Sequence, residues 1–302
     1  MTRTKVLACL AMAASLSVDA AGRQEFVFRA GVDVVSVSVS VSDRNRPVAG
    51  LTGGDFQLSD NGVPQDITST TVESLPVDVT VVLDTSGSVR GAALDRLKAD
   101  IQQMSDLLQT NDRIRLITFD ATAIDAIGLQ PGGARLPLDR ITGGGATAFY
   151  HALGAALMMV PAPDRPQLVF GFSDGLDNVS FLSARRLADV AEYSSASMYI
   201  ALVPPTPARP AIVGGRIVPQ ASSKVPNRDW LQAAALRTGG VLYEDASRLP
   251  ATFRKVLDDF RTSYVLRYTP RGVTRAGWHD IVVNTTRRRN YDVRARKGYE
   301  GG

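Results

Sequence analysis

The chain has 302 residues, 44% hydrophobic and 21% charged, with 26 Gly and 16 Pro. At roughly 100–200 residues per domain this is one large domain or two modest ones with a real core, not a disordered tail or a fibrous repeat. The formal charge of +4, from 34 basic and 30 acidic residues, is too balanced to argue for nucleic acid, although six basic residues fall in the last sixteen positions.

Other exclusions come from residue types. Cys9, His151 and His279 cannot supply the four or so soft ligands of a structural zinc site, and one cysteine makes no intrachain disulfide. Any metal must be held through oxygen, which points to Mg²⁺, Mn²⁺ or Ca²⁺. No run reaches 18 apolar residues, so no integral membrane segment is expected.

Residues 1–20 read as a secretory signal. Arg3 and Lys5 form a basic start, Val6 to Val18 a short apolar run, and Val18-Asp19-Ala20 a small-residue cleavage site. Val6-Leu7-Ala8-Cys9 looks like a lipobox, but three apolar residues after Lys5 are too few for the segment that should precede it. The expected location is secreted or periplasmic.

Residues 21–75 form an N-terminal β segment. Val and Ser alternate strictly from Val35 to Ser42, the period of a half-buried strand. Asp55–Leu58 alternates again, Asp60-Asn61-Gly62 is a hairpin signal, and β-branched Ile67–Val72 can pair back.

Between 76 and 262 strands and helices alternate. Strands are expected at Val77–Leu83, Arg113–Phe119, Ile124–Gly128, Gln167–Phe172, Met198–Val203 and Val241–Tyr243. Helices are expected at Ala93–Leu108, Tyr150–Met159, Ser183–Tyr193, Arg228–Thr238 and Leu249–Phe260. This order predicts an α/β fold with a doubly wound, mostly parallel sheet. The Pro204–Pro226 loop carries six prolines and leaves the carboxyl end of a strand. Residues 263–302 form a C-terminal β segment with strands at Ser263–Tyr268, Asp280–Asn284 and Tyr291–Ala295. Each β segment alone has little to bury, so the two are expected to meet as one β-sandwich into which the α/β domain is inserted.

Ligands of such sheets bind beyond the carboxyl ends of the strands. Three loops there carry oxygen side chains: Asp84, Ser86 and Ser88 in the first, Thr147 after Gly143-Gly144-Gly145, and Asp174 in Ser173-Asp174-Gly175. Five oxygens suit an octahedral Mg²⁺ or Mn²⁺. Alone, Asp84–Ser88 reads equally well as a helix N-terminus capped by Ser or Asp. Asp177 and Asn178 read as solvated loop residues, His279 as part of a hairpin, and Arg287–Arg289 as a solvated turn.

Asp84-x-Ser86-x-Ser88, then Thr147, then Asp174 resembles the metal ion-dependent adhesion site of von Willebrand factor type A (VWFA) domains, over about residues 76–262. Gly50–Phe56, Ser263–Tyr268 and Val293–Tyr299 are similar to segments of secreted bacterial VWFA-related proteins of acidobacterial type. That group usually has Asp where this chain has His151. The resemblance implies a cation held by Ser86, Ser88 and Thr147 hydroxyls, with Asp84 and Asp174 direct or through water. Its open position would take an Asp or Glu carboxylate of a protein partner. The implied function is adhesion-type binding without catalysis. One alternative is an envelope scaffold with a stabilising metal. The other is a metal-dependent hydrolase, but the second Asp of aspartyl phosphatases is Ser86 here, and neither His shares a hydrolase elbow with Ser86.

Overall fold

The computed structural model describes residues 34–302 except 45, 73–74, 87–90, 163–164, 204–210, 214–215, 219–225, 245, 247 and 288–290. The expected signal segment with Cys9, the expected ligand Ser88 and most of the proline-rich loop lie outside the described residues.

The elements in chain order are β1 (Val35–Asp43), β2 (Arg46–Pro47), β3 (Phe56–Asp60), β4 (Val63–Gln65), β5 (Ile67–Val72), β6 (Asp78–Asp84), α1 (Ala92–Asp106), β7 (Arg113–Phe119), β8 (Ala123–Pro131), α2 (Phe149–Leu157) and β9 (Gln167–Ser173). There follow α3 (Ala184–Tyr193), β10 (Ser197–Leu202), β11 (Ala211–Val213), β12 (Arg216–Val218), α4 (Arg228–Arg237), β13 (Leu242–Tyr243), α5 (Leu249–Arg261), β14 (Tyr264–Tyr268), β15 (Gly277–Thr285), β16 (Asp292–Ala295) and β17 (Gly298–Gly301).

The central sheet runs β13-β10-β9-β6-β7-β8, parallel except for the β7–β8 edge pair. β6 lies in its middle and all seven of its residues are buried, as a β-branched run between two parallel neighbours requires. Val79, Val81 and Leu83 face α1 and α5, and Val82 faces α2, α3 and α4. Helices therefore cover both faces, and the fold is doubly wound α/β. β8 is longer than expected and antiparallel. β11 and β12 pair antiparallel inside the proline-rich loop, which thus contains secondary structure.

Both flanks contribute to each of two antiparallel sheets, β16-β1-β14-β5 and β17-β15-β3-β4. Val37, Val39 and Val41 of β1 and Leu266 of β14 pack over Phe56, Leu58, Ile281 and Val283 of the other sheet. This is the β-sandwich with the α/β block inserted. Val72 of β5 pairs with Tyr264 of β14, so the chain enters and leaves the insertion on adjacent strands. Ile67–Val72 therefore does not pair back on β3; β4 does that, through the hairpin at Asn61 (φ 47°) and Gly62 (φ 77°). β17, with a glycine at each end and no alternation, carries no strand signal in the sequence.

Among the serines of β1, Ser40 has a partner in the α/β block. Ser40 Oγ donates to Asp259 Oδ1 of α5 at 2.6 Å, Tyr199 hydroxyl donates to Oδ2 at 2.7 Å, and Arg294 Nη2 reaches Oδ1 at 2.6 Å. The Val face of β1 lines the sandwich core, and on its other face Ser40 meets the α/β block through Asp259.

His279 corrects the hairpin reading. It is 1% exposed and its Nδ1 lies 2.7 Å from Oδ1 of Asp60, itself 0% exposed. Tyr268 and Tyr299 hydroxyls donate to Asp60 Oδ2 at 2.8 and 3.2 Å. Nε2 has no hydrogen-bond partner among the described residues, which places the imidazole proton on Nδ1. Burial, followed by its bonds to Tyr299 and Asp60, holds the Tyr268 hydroxyl well above its ordinary range. Asp60→Ala would remove the shared acceptor of the buried His279 Nδ1 and Tyr268 hydroxyl, at a cost of about 3 kcal/mol. The expected loss in Tm is roughly 6–12 °C, measured by circular dichroism; a loss under about 2 °C would show that the network is not holding the flanks together.

Candidate metal centre

β6 and β9 are adjacent and parallel, in a register that pairs Leu83 with Phe172. Asp84 and Ser173 are the next residues on each strand, and Ser173 Oγ donates to Asp84 Oδ2 at 2.9 Å. Asp174 follows at once. Asp84 Oδ1 accepts from the Ser86 amide at 2.8 Å, which turns the chain back and brings Ser86 beside the carboxylate. Thr85 is tied down by two bonds to the Phe119 carbonyl, both 2.9 Å, from its amide and its hydroxyl.

The glycine-rich loop joins through the Gly144 amide, which donates to the Thr85 carbonyl at 2.7 Å. Gly145 has φ +86°, and a Cβ there would lie 3.1 Å from Asp120, so both backbone and space require glycine. Thr147, buried, donates its amide to Asn178 Oδ1 at 2.8 Å and accepts from the Asn178 amide at 3.0 Å. Asp177 Oδ2 accepts from the Tyr150 amide at 2.9 Å and Ser180 Oγ from the His151 amide at 3.1 Å. These are orphan amides of the first turn of α2, whose own N-cap Ala148 has no capping side chain.

The structure thus brings together the loops of Asp84, Ser86, Thr147 and Asp174. Asp177 and Asn178 lie in a loop, half-buried and exposed respectively, and in addition they brace Thr147 and the start of α2. Their signal in the sequence was there to find, since α2 has no Ser, Thr, Asp or Asn at its own N-cap and must borrow one.

The electrostatics favour a cation. Asp174 is held above the ordinary carboxylate range, first by burial and then by the Asp84 charge; a bond from the Leu176 amide at 2.9 Å opposes this only in part. Among the described residues no Lys or Arg pairs with either carboxylate, and no three His, Cys, Asp or Glu side chains cluster as a metal site. The donors are two carboxylates and hydroxyls, a hard-oxygen set that fits Mg²⁺ or Mn²⁺ and not a soft metal.

That repulsion yields a prediction. In the metal-free protein Asp174→Asn removes one of two opposed charges while keeping the oxygen that accepts from Leu176. Its Tm in EDTA is expected to rise by about 2 °C. A fall in Tm by scanning calorimetry would show that the two carboxylates do not oppose one another.

The sequence matches the family described as VWA-like domain (DUF2201) over residues 79–179, about a third of the chain. No curated protein sequence matches it. Among solved structures it is similar to BatB from Bacteroides thetaiotaomicron, a conserved hypothetical protein (19% identity, 61% of this chain and 98% of that one, TM-score 0.46). It is also similar to a von Willebrand factor type A protein from Catenulispora acidiphila (12% identity, 86% and 76%, TM-score 0.48). A third is the ArnB paralog VWA2 from Sulfolobus acidocaldarius (13% identity, 89% and 76%, TM-score 0.46). Residues 79–179, which contain Asp84, Ser86, Ser88, Thr147 and Asp174, are similar to a VWA-like domain.

Proposed function

We propose that the chain is a secreted or periplasmic protein-binding module of adhesion type, with Mg²⁺ or a similar divalent cation held by Asp84, Ser86, Ser88, Thr147 and Asp174. The observation that carries this reading is the pair of carboxylates, Asp84 and Asp174, at the ends of neighbouring parallel strands, with neither paired to a Lys or Arg among the described residues. When bound, the cation would supply an electrophilic site for one Asp or Glu carboxylate of a partner protein.

The protein's own part is to hold that site rigid and partly dry. Ser173 fixes one oxygen of Asp84 and the Ser86 amide the other. The backbone on both sides of Thr147 is clamped by Asn178. Hydroxyl donors add no further negative charge, so a bound dication would keep attraction for an external carboxylate.

Catalysis is not part of the proposal. His151 Nε2 accepts from the Leu182 amide at 3.3 Å, and His279 sits in the sandwich core on Asp60. Neither imidazole hydrogen bonds to a site hydroxyl among the described residues.

Asp84→Ala is expected to lower Mn²⁺ affinity at least a hundredfold by calorimetry, and a partner captured in Mg²⁺ should be released by EDTA. Unchanged Mn²⁺ affinity would sink the assignment. The location is tested separately: the mature N-terminus of protein recovered from periplasm or medium is expected near Ala21, without lipid. A diacylated Cys9 would overturn that reading. Among the described residues no helix is long and apolar enough to cross a membrane.

A further inference from the structure

The loop that begins at Asp174 ends in a feature the metal site does not use. Phe181 is 98% exposed, and Val179, two residues before it, is 40% exposed. Single apolar residues on a surface are ordinary, but these two are held in place. The Val179 amide donates to the Thr147 carbonyl at 3.3 Å, next to the Asn178 amide on the same oxygen. Leu182 packs against the core beneath α2 and α3, and its amide donates to His151 Nε2. The His151 ring flanks Phe181 with centroids 5.8 Å apart. Ser183 then caps α3 by accepting from the Arg186 amide at 3.3 Å. The backbone is therefore fixed on both sides of Phe181 while its ring stays in solvent.

Its distance from the cation loops is bounded. Two residues of chain plus one hydrogen bond separate Phe181 from Thr147, no more than about 14 Å between Cα atoms, or about four residues of an extended partner chain. An exposed aromatic on a fixed backbone is the kind of side chain that dominates protein interfaces, because little freedom is lost when it is covered.

We propose that Phe181, with Val179, is a specificity element beside the cation loops. The partner segment would carry an apolar side chain within about four residues of the Asp or Glu that it offers to the cation. This rests on the cation-binding reading above and specifies the chemistry of its partner. His151 is a positioning residue here: it holds the Leu182 amide and stands beside the ring.

The test is a phage-displayed library of random peptides, selected in Mn²⁺ on the wild-type protein, Phe181→Ser and Asp84→Ala. Phe181 is exposed, so Phe181→Ser is expected to fold and to keep wild-type Mn²⁺ affinity within about twofold. Wild type is expected to select acidic peptides with Leu, Ile, Phe, Met or Trp within four positions of the acid. Phe181→Ser should still select the acid but lose the apolar preference, and should bind a synthetic wild-type-selected peptide about tenfold more weakly. An apolar preference that survives Phe181→Ser unchanged overturns the inference. Acidic selection that survives EDTA or Asp84→Ala, or that never appears, overturns the cation reading and the inference with it, by an outcome that does not involve Phe181.

Discussion

The register between β6 and β9 is the constraint on which the rest depends. Two parallel strands, hydrogen-bonded from Asp78 with Gln167 up to Leu83 with Phe172, must finish level with each other. Whatever follows Leu83 and Phe172 is thereby placed side by side. Here the followers are Asp84 on one strand and Ser173-Asp174 on the other. The β-branched residues that make β6 pair on both sides thus also set the spacing of two carboxylates. Chemistry at the sheet's upper edge comes from packing in its middle.

Holding those carboxylates together has a consequence for the loops around them. Like charges brought close in a partly buried place repel, and a flexible loop would relax by moving apart. Each loop here is anchored so that it cannot: Thr85 by the Phe119 carbonyl, the glycine-rich loop by the Thr85 carbonyl, and Thr147 by Asn178. The braces that look like ordinary loop polarity are what hold these loops in place against that repulsion. An anchored site also loses less freedom when it binds, which raises affinity for a given set of contacts.

Much of this was legible in the sequence, for reasons that differ by region. Periodicity located the central strands and all five α-helices of the described residues, because a strand buried on both faces and a helix with one apolar stripe each leave a strong local pattern. The union of the flanks was legible from the arithmetic of burial, since neither β segment could cover its own apolar face. The pairing of β5 was not legible. Its β-branched residues fit either sheet, and the choice depends on β14, almost two hundred residues later. The His279–Asp60 pair was hidden for the same reason: its partners lie 219 positions apart, and each residue alone looks like turn chemistry. The bracing role of Asp177 and Asn178 was missed because their hydrogen bonds go to a different loop, while the ligand candidates were found because their spacing is itself a pattern. Of those candidates Ser88 lies outside the described residues, so four of the five donors have a described position.

β6 supplies its own comparison for how the two ends of the sheet differ. It starts at Asp78 and ends at Asp84, both buried. Burial would push Asp78 up, but Arg113 and Arg165 bond to its carboxylate and hold it below the ordinary range. At the same lower edge Asp112 is paired with Arg261. At the upper edge Asp84 is met by a serine hydroxyl and an amide, neutral donors that orient a carboxylate without cancelling its charge. The same strand thus ends in two kinds of carboxylate, one neutralised from within the chain and one left with its charge. An arginine at the upper edge would relieve the opposition between Asp84 and Asp174 and would occupy the space between them. Neutral donors keep that charge available, which is what the proposed dication would need in place of a side chain.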